Sequence, residues 1–90
     1  MKTIHKYQVP IGDETVIVPM PHGSKILKLD IQRGVPCIWA IVDTAQAAEE
    51  YKFVWRGTGH DCEKLTSGEY VGSVLIEGGS LVFHLFQVWR

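Results

Sequence analysis

The sequence predicts an all-β protein, a small antiparallel sandwich or barrel of about six to seven strands. Three observations carry this. Turn-forming clusters recur along the chain, at Pro10-Ile11-Gly12-Asp13, Met20-Pro21-His22-Gly23-Ser24, Gly34-Val35-Pro36, Gly57-Thr58-Gly59 and Gly78-Gly79. Short segments rich in Val, Ile, Leu and aromatic residues lie between them, as in sandwiches and barrels. Within Lys25–Arg33, Leu27, Leu29 and Ile31 alternate with Lys28, Asp30 and Gln32, the pattern of a half-buried strand.

The elements follow in order. Thr3–Val9 reads as the first strand and Glu14–Val18 as the second. Pro19 and Pro21 cannot donate to a ladder, so the second strand must end there or lie at an edge. Lys25–Arg33 is the third strand. Arg33-Gly34-Val35-Pro36 turns tightly into the fourth, Cys37–Val42, and makes the two a hairpin. The Ala-rich stretch 43–50 is read as either a short helical turn, around residues 44–50, or an irregular loop. Tyr51–Arg56 is the fifth strand, with Tyr51, Phe53 and Trp55 on one face. Gly57–Glu69 is the longest loop. Tyr70–Ile76 and Ser80–Arg90 form a last hairpin around Gly78-Gly79. On its final strand Leu81, Phe83, Leu85 and Trp89 share one face, and Val82, His84, Phe86 and Val88 the other.

The whole chain, 1–90, is read as one domain, since 90 residues supply a single small core. Hydrophobic residues at 46% and charged residues at 21% exclude a disordered chain. No apolar run has the length of a membrane helix, and Met1–Lys6 lacks the pattern of a signal peptide, so no membrane association is expected. The net charge of −1 gives no basic excess for gripping phosphate backbones. Lys6, Lys28, Lys52 and Arg56 are able to share a face, but neighbouring aromatics alternate with them, so nucleic acid is disfavoured. Two cysteines, Cys37 and Cys62, are too few for a secreted disulfide framework and point inside a cell.

Two strands are apolar on both faces. Cys37–Val42 and the final strand have more apolar surface than one small sandwich encloses. This predicts a homo-oligomer with Trp39, Trp55, Phe86 and Trp89 at the contact between chains. For a ligand, the candidate site is Arg56, Gly57, Thr58, Gly59 and His60. Glycines let backbone N–H groups turn inward as an anion nest, and Arg56, Thr58 and His60 supply donors for a small anionic, nucleotide-like ligand. His60-Asp61-Cys62, with Cys37 or His84, lacks zinc-ligand spacing, so no metal or other cofactor is expected. Cys62 with His60 or His84 makes no recognisable catalytic pair, and no catalytic residue is assigned. His84, set between Phe83 and Leu85, reads as a buried, hydrogen-bonded core histidine.

Met20–Leu27, Gly34–Asp43, Gly57–His60, Tyr70–Ser73 and Gly79–His84 together resemble a group of short uncharacterised proteins of bacteriophages and prophages, a domain of unknown function. The resemblance covers nearly the whole chain. It implies a phage or prophage origin and a bacterial host cytoplasm, and it brings no reaction and no site residues. The expected function is therefore binding rather than catalysis. The target would be a host protein or a nucleotide-like ligand, in the manner of a protein that counters host defence. The alternative is a structural part of the virion, such as a head–tail connector or decoration protein.

Overall fold

The computed structural model describes residues 1–65 and 67–89. Seven strands follow one another: β1 (Lys2–Gln8), β2 (Val16–Pro21), β3 (Lys25–Gln32), β4 (Val35–Asp43), β5 (Ala48–Gly57), β6 (Glu69–Ile76) and β7 (Leu81–Val88). A 3-10 turn, Glu77–Gly79, joins the last two. The strands form two antiparallel sheets, a three-stranded one ordered β1-β4-β3 and a four-stranded one ordered β2-β5-β7-β6. The sheets pack as an open sandwich; β3 and β6 approach each other along one side without closing a barrel.

Outside the start of β3, the inner faces are those that alternation assigns. Ile38, Ala40 and Val42 of β4 meet Val18 and Met20 of β2, Phe53 and Trp55 of β5, Val74 of β6 and Leu85 of β7 in one buried cluster. Ile26, Leu29 and Ile31 of β3 close its flank, half-buried. Leu27 is displaced from this face by a bulge between Ile26 and Lys28.

Four local expectations are settled by backbone chemistry. The β3–β4 hairpin forms, with Arg33 at φ 52° and Gly34 at φ 81° as its two central residues. Both lie in the left-handed region, the signature of the tight turn that matches strand twist. β2 does not stop before its prolines. It runs through Pro19 and Pro21 as an edge strand paired with β5. His22 donates to the Ala47 carbonyl, so even-numbered positions face β5 and both proline nitrogens point to the open side. The Ala-rich stretch forms no helical turn, and the 3-10 turn lies at Glu77–Gly79 instead. The Asp43 carboxylate accepts from the Ala45 N–H at 3.1 Å, and Gln46 N–H donates to the Asp43 carbonyl. This reverses the chain so early that Ala48, Glu49 and Glu50 extend β5 against β2. The last strand ends at Val88, and Arg90 lies outside the described residues.

Trp55 stitches the two sheets together. Val9 N–H donates to the Pro36 carbonyl at 2.9 Å. Pro36 has no N–H to return to the Val9 carbonyl. Val9 is fully buried, so that carbonyl has no water to turn to. Trp55 Nε1, from the opposite sheet, donates to it at 3.2 Å. Trp55 is 4% exposed, which corrects its expected place between chains: it belongs to the core of its own chain.

Two outcomes follow. Trp55→Phe keeps most of the ring but orphans the Val9 carbonyl, and should lower unfolding free energy by about 1–3 kcal/mol in urea denaturation. Arg33→Asn replaces a residue strained at positive φ with one that tolerates it, and should raise stability by roughly 0.5–1 kcal/mol in the same assay.

Candidate functional site

The glycine loop is bonded to itself and to β7. Gly57 N–H donates to His60 Nδ1 at 3.1 Å, and His60 N–H returns to the Gly57 carbonyl at 3.0 Å. Thr58 N–H donates to the Val82 carbonyl at 3.0 Å. A Cβ on Gly57 would stand 2.7 Å from the His60 ring, so glycine is required there for the imidazole to fold back. The Gly57, Thr58 and His60 N–H groups, three of the donors an anion nest would aim at a ligand, are thus engaged within the chain. Arg56 leaves the loop altogether. Its Nη1 donates to the Trp55 carbonyl at 2.9 Å on the outer face of the four-stranded sheet. Arg56 and Thr58 flank His84 on the outer face, whereas the His60 ring folds back over Gly57 against Phe83, so the five residues do not converge on one point.

That same face holds a chain of hydrogen bonds not foreseen from the sequence. Thr58 Oγ1 lies 2.8 Å from His84 Nε2, and the Tyr70 hydroxyl 3.1 Å from His84 Nδ1. His84 is half-buried and faces outward, beside Arg56 and opposite Ser73, so it is not a core histidine. A hydroxyl, an imidazole and a phenol in line can pass a proton. With the Gly57 and Thr58 N–H groups already bonded, the adjoining loop offers neither of these two donors to a developing oxyanion. The arrangement ties β6 and β7 to the loop that follows β5.

A groove lies elsewhere, at the end of the sandwich. One hollow of about 510 Å³ opens between the β2–β3 turn with the start of β3 and the ends of β5, β6 and β7. A second, of about 350 Å³, adjoins it over Glu50, Lys52 and Val88. Glu49, Tyr51, Gln87 and Trp89 line both, so Trp89 stands between them. Trp89 is 57% exposed, and Tyr70 and Leu27 are exposed beside it. Among the described residues both strand irregularities border this groove, the β3 bulge at Leu27 and the β6 bulge at Val71. Bulges of this kind turn side chains out of the ladder at sheet edges.

The groove has walls of opposite charge. Lys25 and Lys28 stand on the β3 wall, and Glu49 and Glu69 on the other. Lys28 is shared: its Nζ lies 3.4 Å from the Asp30 carboxylate and 5.9 Å from the centre of the Trp39 ring. His22 Nδ1 is 3.1 Å from the Glu49 carboxylate. The Tyr51 hydroxyl donates to the Pro21 carbonyl and accepts from Ser24 N–H at 3.1 Å, fixing the β2–β3 turn as the rim. The His22 ring and then the Tyr51 hydroxyl hold the Glu49 carboxyl below its ordinary range. Desolvation, followed by the Glu49 hydrogen bond, pushes the Tyr51 phenol up.

The aromatic residues expected at one oligomer contact are dispersed. Trp39 lies half-buried on the outer face of the three-stranded sheet, Phe86 on the outer face of the four-stranded sheet, and Trp89 in the groove. The basic residues divide likewise, Lys6 and Lys28 on one sheet and Lys52 and Arg56 on the other. Cys37 is buried, Cys62 exposed, and both are free thiols. Among the described residues no three His, Cys, Asp or Glu side chains converge as metal ligands do. No described helix is long and apolar enough to cross a membrane. No curated protein and no solved structure matches the chain.

Glu49 gains from its charged form, so its contribution is present above its unfolded value and lost as pH falls through the lowered one. In His22→Ala the Glu49 carboxyl should titrate higher, toward 4.5, which an NMR titration reads directly.

Residues 1–90 match the model of a domain of unknown function, DUF7352, and the chain belongs to that family.

Proposed function

We propose that this chain is a non-catalytic binding module that docks a segment of a partner protein in the groove around Trp89. The observation that carries this reading is the indole itself, more than half exposed between two hollows, with Tyr70 and Leu27 beside it. Exposed aromatic anchors ringed by polar residues are what binding hot spots are made of. The walls of opposite sign suit a peptide, with its alternating donors and acceptors and mixed charges. They suit a nucleotide poorly, because Glu49 and Glu69 face the space a phosphate would enter. The Gly57–His60 loop, with its Gly57, Thr58 and His60 N–H groups engaged internally, adds little support to the nucleotide reading. The resemblance to phage and prophage proteins supports a bacterial host protein as the partner, met in the host cytoplasm.

The test compares wild-type protein with Trp89→Ala as bait in bacterial lysate, followed by affinity measurement on the protein recovered. Trp89→Ala should weaken binding by about 30-fold or more, the loss typical of a hot-spot aromatic. Its unfolding midpoint should stay close to wild type, since an exposed side chain supports little stability. A partner held equally well by the variant would reject the groove as the site. A shift in melting temperature with nucleotides but no protein partner would favour the small-ligand reading instead.

A further inference from the structure

The open edge of the three-stranded sheet is built to pair with itself. We infer that β1 joins the β1 of a second copy, antiparallel about a two-fold axis through His5, giving one continuous six-stranded sheet across the dimer. This is independent of the Trp89 groove.

The other edges are guarded. β2 presents Pro19 and Pro21 outward, and β3 and β6 carry bulges and lie against each other. β1 runs seven residues in unbroken register with β4, without proline or bulge. Its open groups follow from the ladder. Thr44 N–H donates to the Met1 carbonyl, and Val9 N–H to the Pro36 carbonyl, so odd-numbered positions face β4. Lys2, Ile4, Lys6 and Gln8 therefore direct their N–H and C=O groups away from the sheet.

Two antiparallel copies match these groups only when even positions oppose even positions. The register centred on His5 does so for all four: Lys2 opposes Gln8 of the second copy, and Ile4 opposes its Lys6. Every outward N–H and C=O then has a partner, and no like charges stand directly opposite each other. Lysines commonly guard such edges, but Lys6 is drawn back: its ammonium donates to the Gln32 side chain of β3, across β4. Ile4, 55% exposed, continues an apolar row from Ile41 toward the edge. In the paired sheet that row runs on to the Lys6 stem and Trp39 of the second copy.

Sedimentation velocity over a dilution series tests this with variants at Ile4. Wild type should show a reversible monomer–dimer equilibrium. Ile4→Pro removes an outward N–H and no bond to β4, so the variant should stay folded by circular dichroism and sediment as a monomer. Ile4→Lys places one cation opposite each Lys6 and should weaken the dimer, whereas Ile4→Glu should tighten it. Each change should be about 2- to 30-fold, from two symmetric cross-strand pairs. A wild type that remains monomeric at millimolar concentration would overturn the inference. So would a dimer indifferent to both charge variants, because it would use another surface or register.

Discussion

The fold turns on one carbonyl that its own sheet cannot satisfy. Val9 follows β1 into the core, opposite Pro36, which has no N–H to give. A buried carbonyl left unpaired costs a few kcal/mol, a serious fraction of what so small a domain holds in reserve. Trp55 supplies the missing donor from across the sandwich. A single side chain thereby fills the centre of the core, repairs the ladder and fixes the spacing of two sheets that otherwise touch through apolar contact. The remaining elements can be placed around it: β5 must bring Trp55 beneath β1, and β4 must present Pro36 to Val9.

That use of Trp55 decides what remains outside. The apolar layer between the sheets is filled by Met20, Ile38, Phe53 and Leu85 with their neighbours. It has no room for Trp89, Tyr70, Leu27 or Ile4, which stay exposed. These residues fall in two places, a groove at the end of the sandwich and the free edge of β1. The opposite charges of Lys25 and Glu69 in the groove, and the self-matching spacing of outward amides on the edge, are what the proposed docking and self-pairing rest on. The hydrogen-bonded Thr58–His84–Tyr70 chain ties the loop after β5 to β7 and β6.

Much of the architecture was legible from residue order. The Arg33-Gly34 turn and the aromatic face of Tyr51, Phe53 and Trp55 appear as read, because period-two patterning and turn chemistry are local; the alternation in Lys25–Arg33 holds for Leu29 and Ile31 but not for Leu27, which the bulge after Ile26 turns outward. For the Ala-rich stretch a helical turn and an irregular loop stood open; a turn forms at Asp43–Gln46, and pairing with β2 then draws Ala48–Glu50 into β5. The three tryptophans looked alike in sequence as oligomer contacts. Only the packing separates Trp55, which serves an inner carbonyl, from Trp39 on an outer face and Trp89 in the groove. The groove itself could not be read, because it assembles from four separated segments near residues 22–28, 49–51, 69–71 and 87–89. The β1 edge could not be read either, since its openness depends on which strands the topology leaves without neighbours.

The division of labour among the tryptophans is open to direct measurement by hydrogen exchange at the three indole N–H groups, resolved in a proton–nitrogen NMR spectrum at low protein concentration. The Trp55 signal should persist long after transfer to heavy water, because its proton is held by the Val9 carbonyl inside the core. The Trp89 signal should vanish at once. A Trp55 indole exchanging as fast as Trp89 would contradict the account at its root.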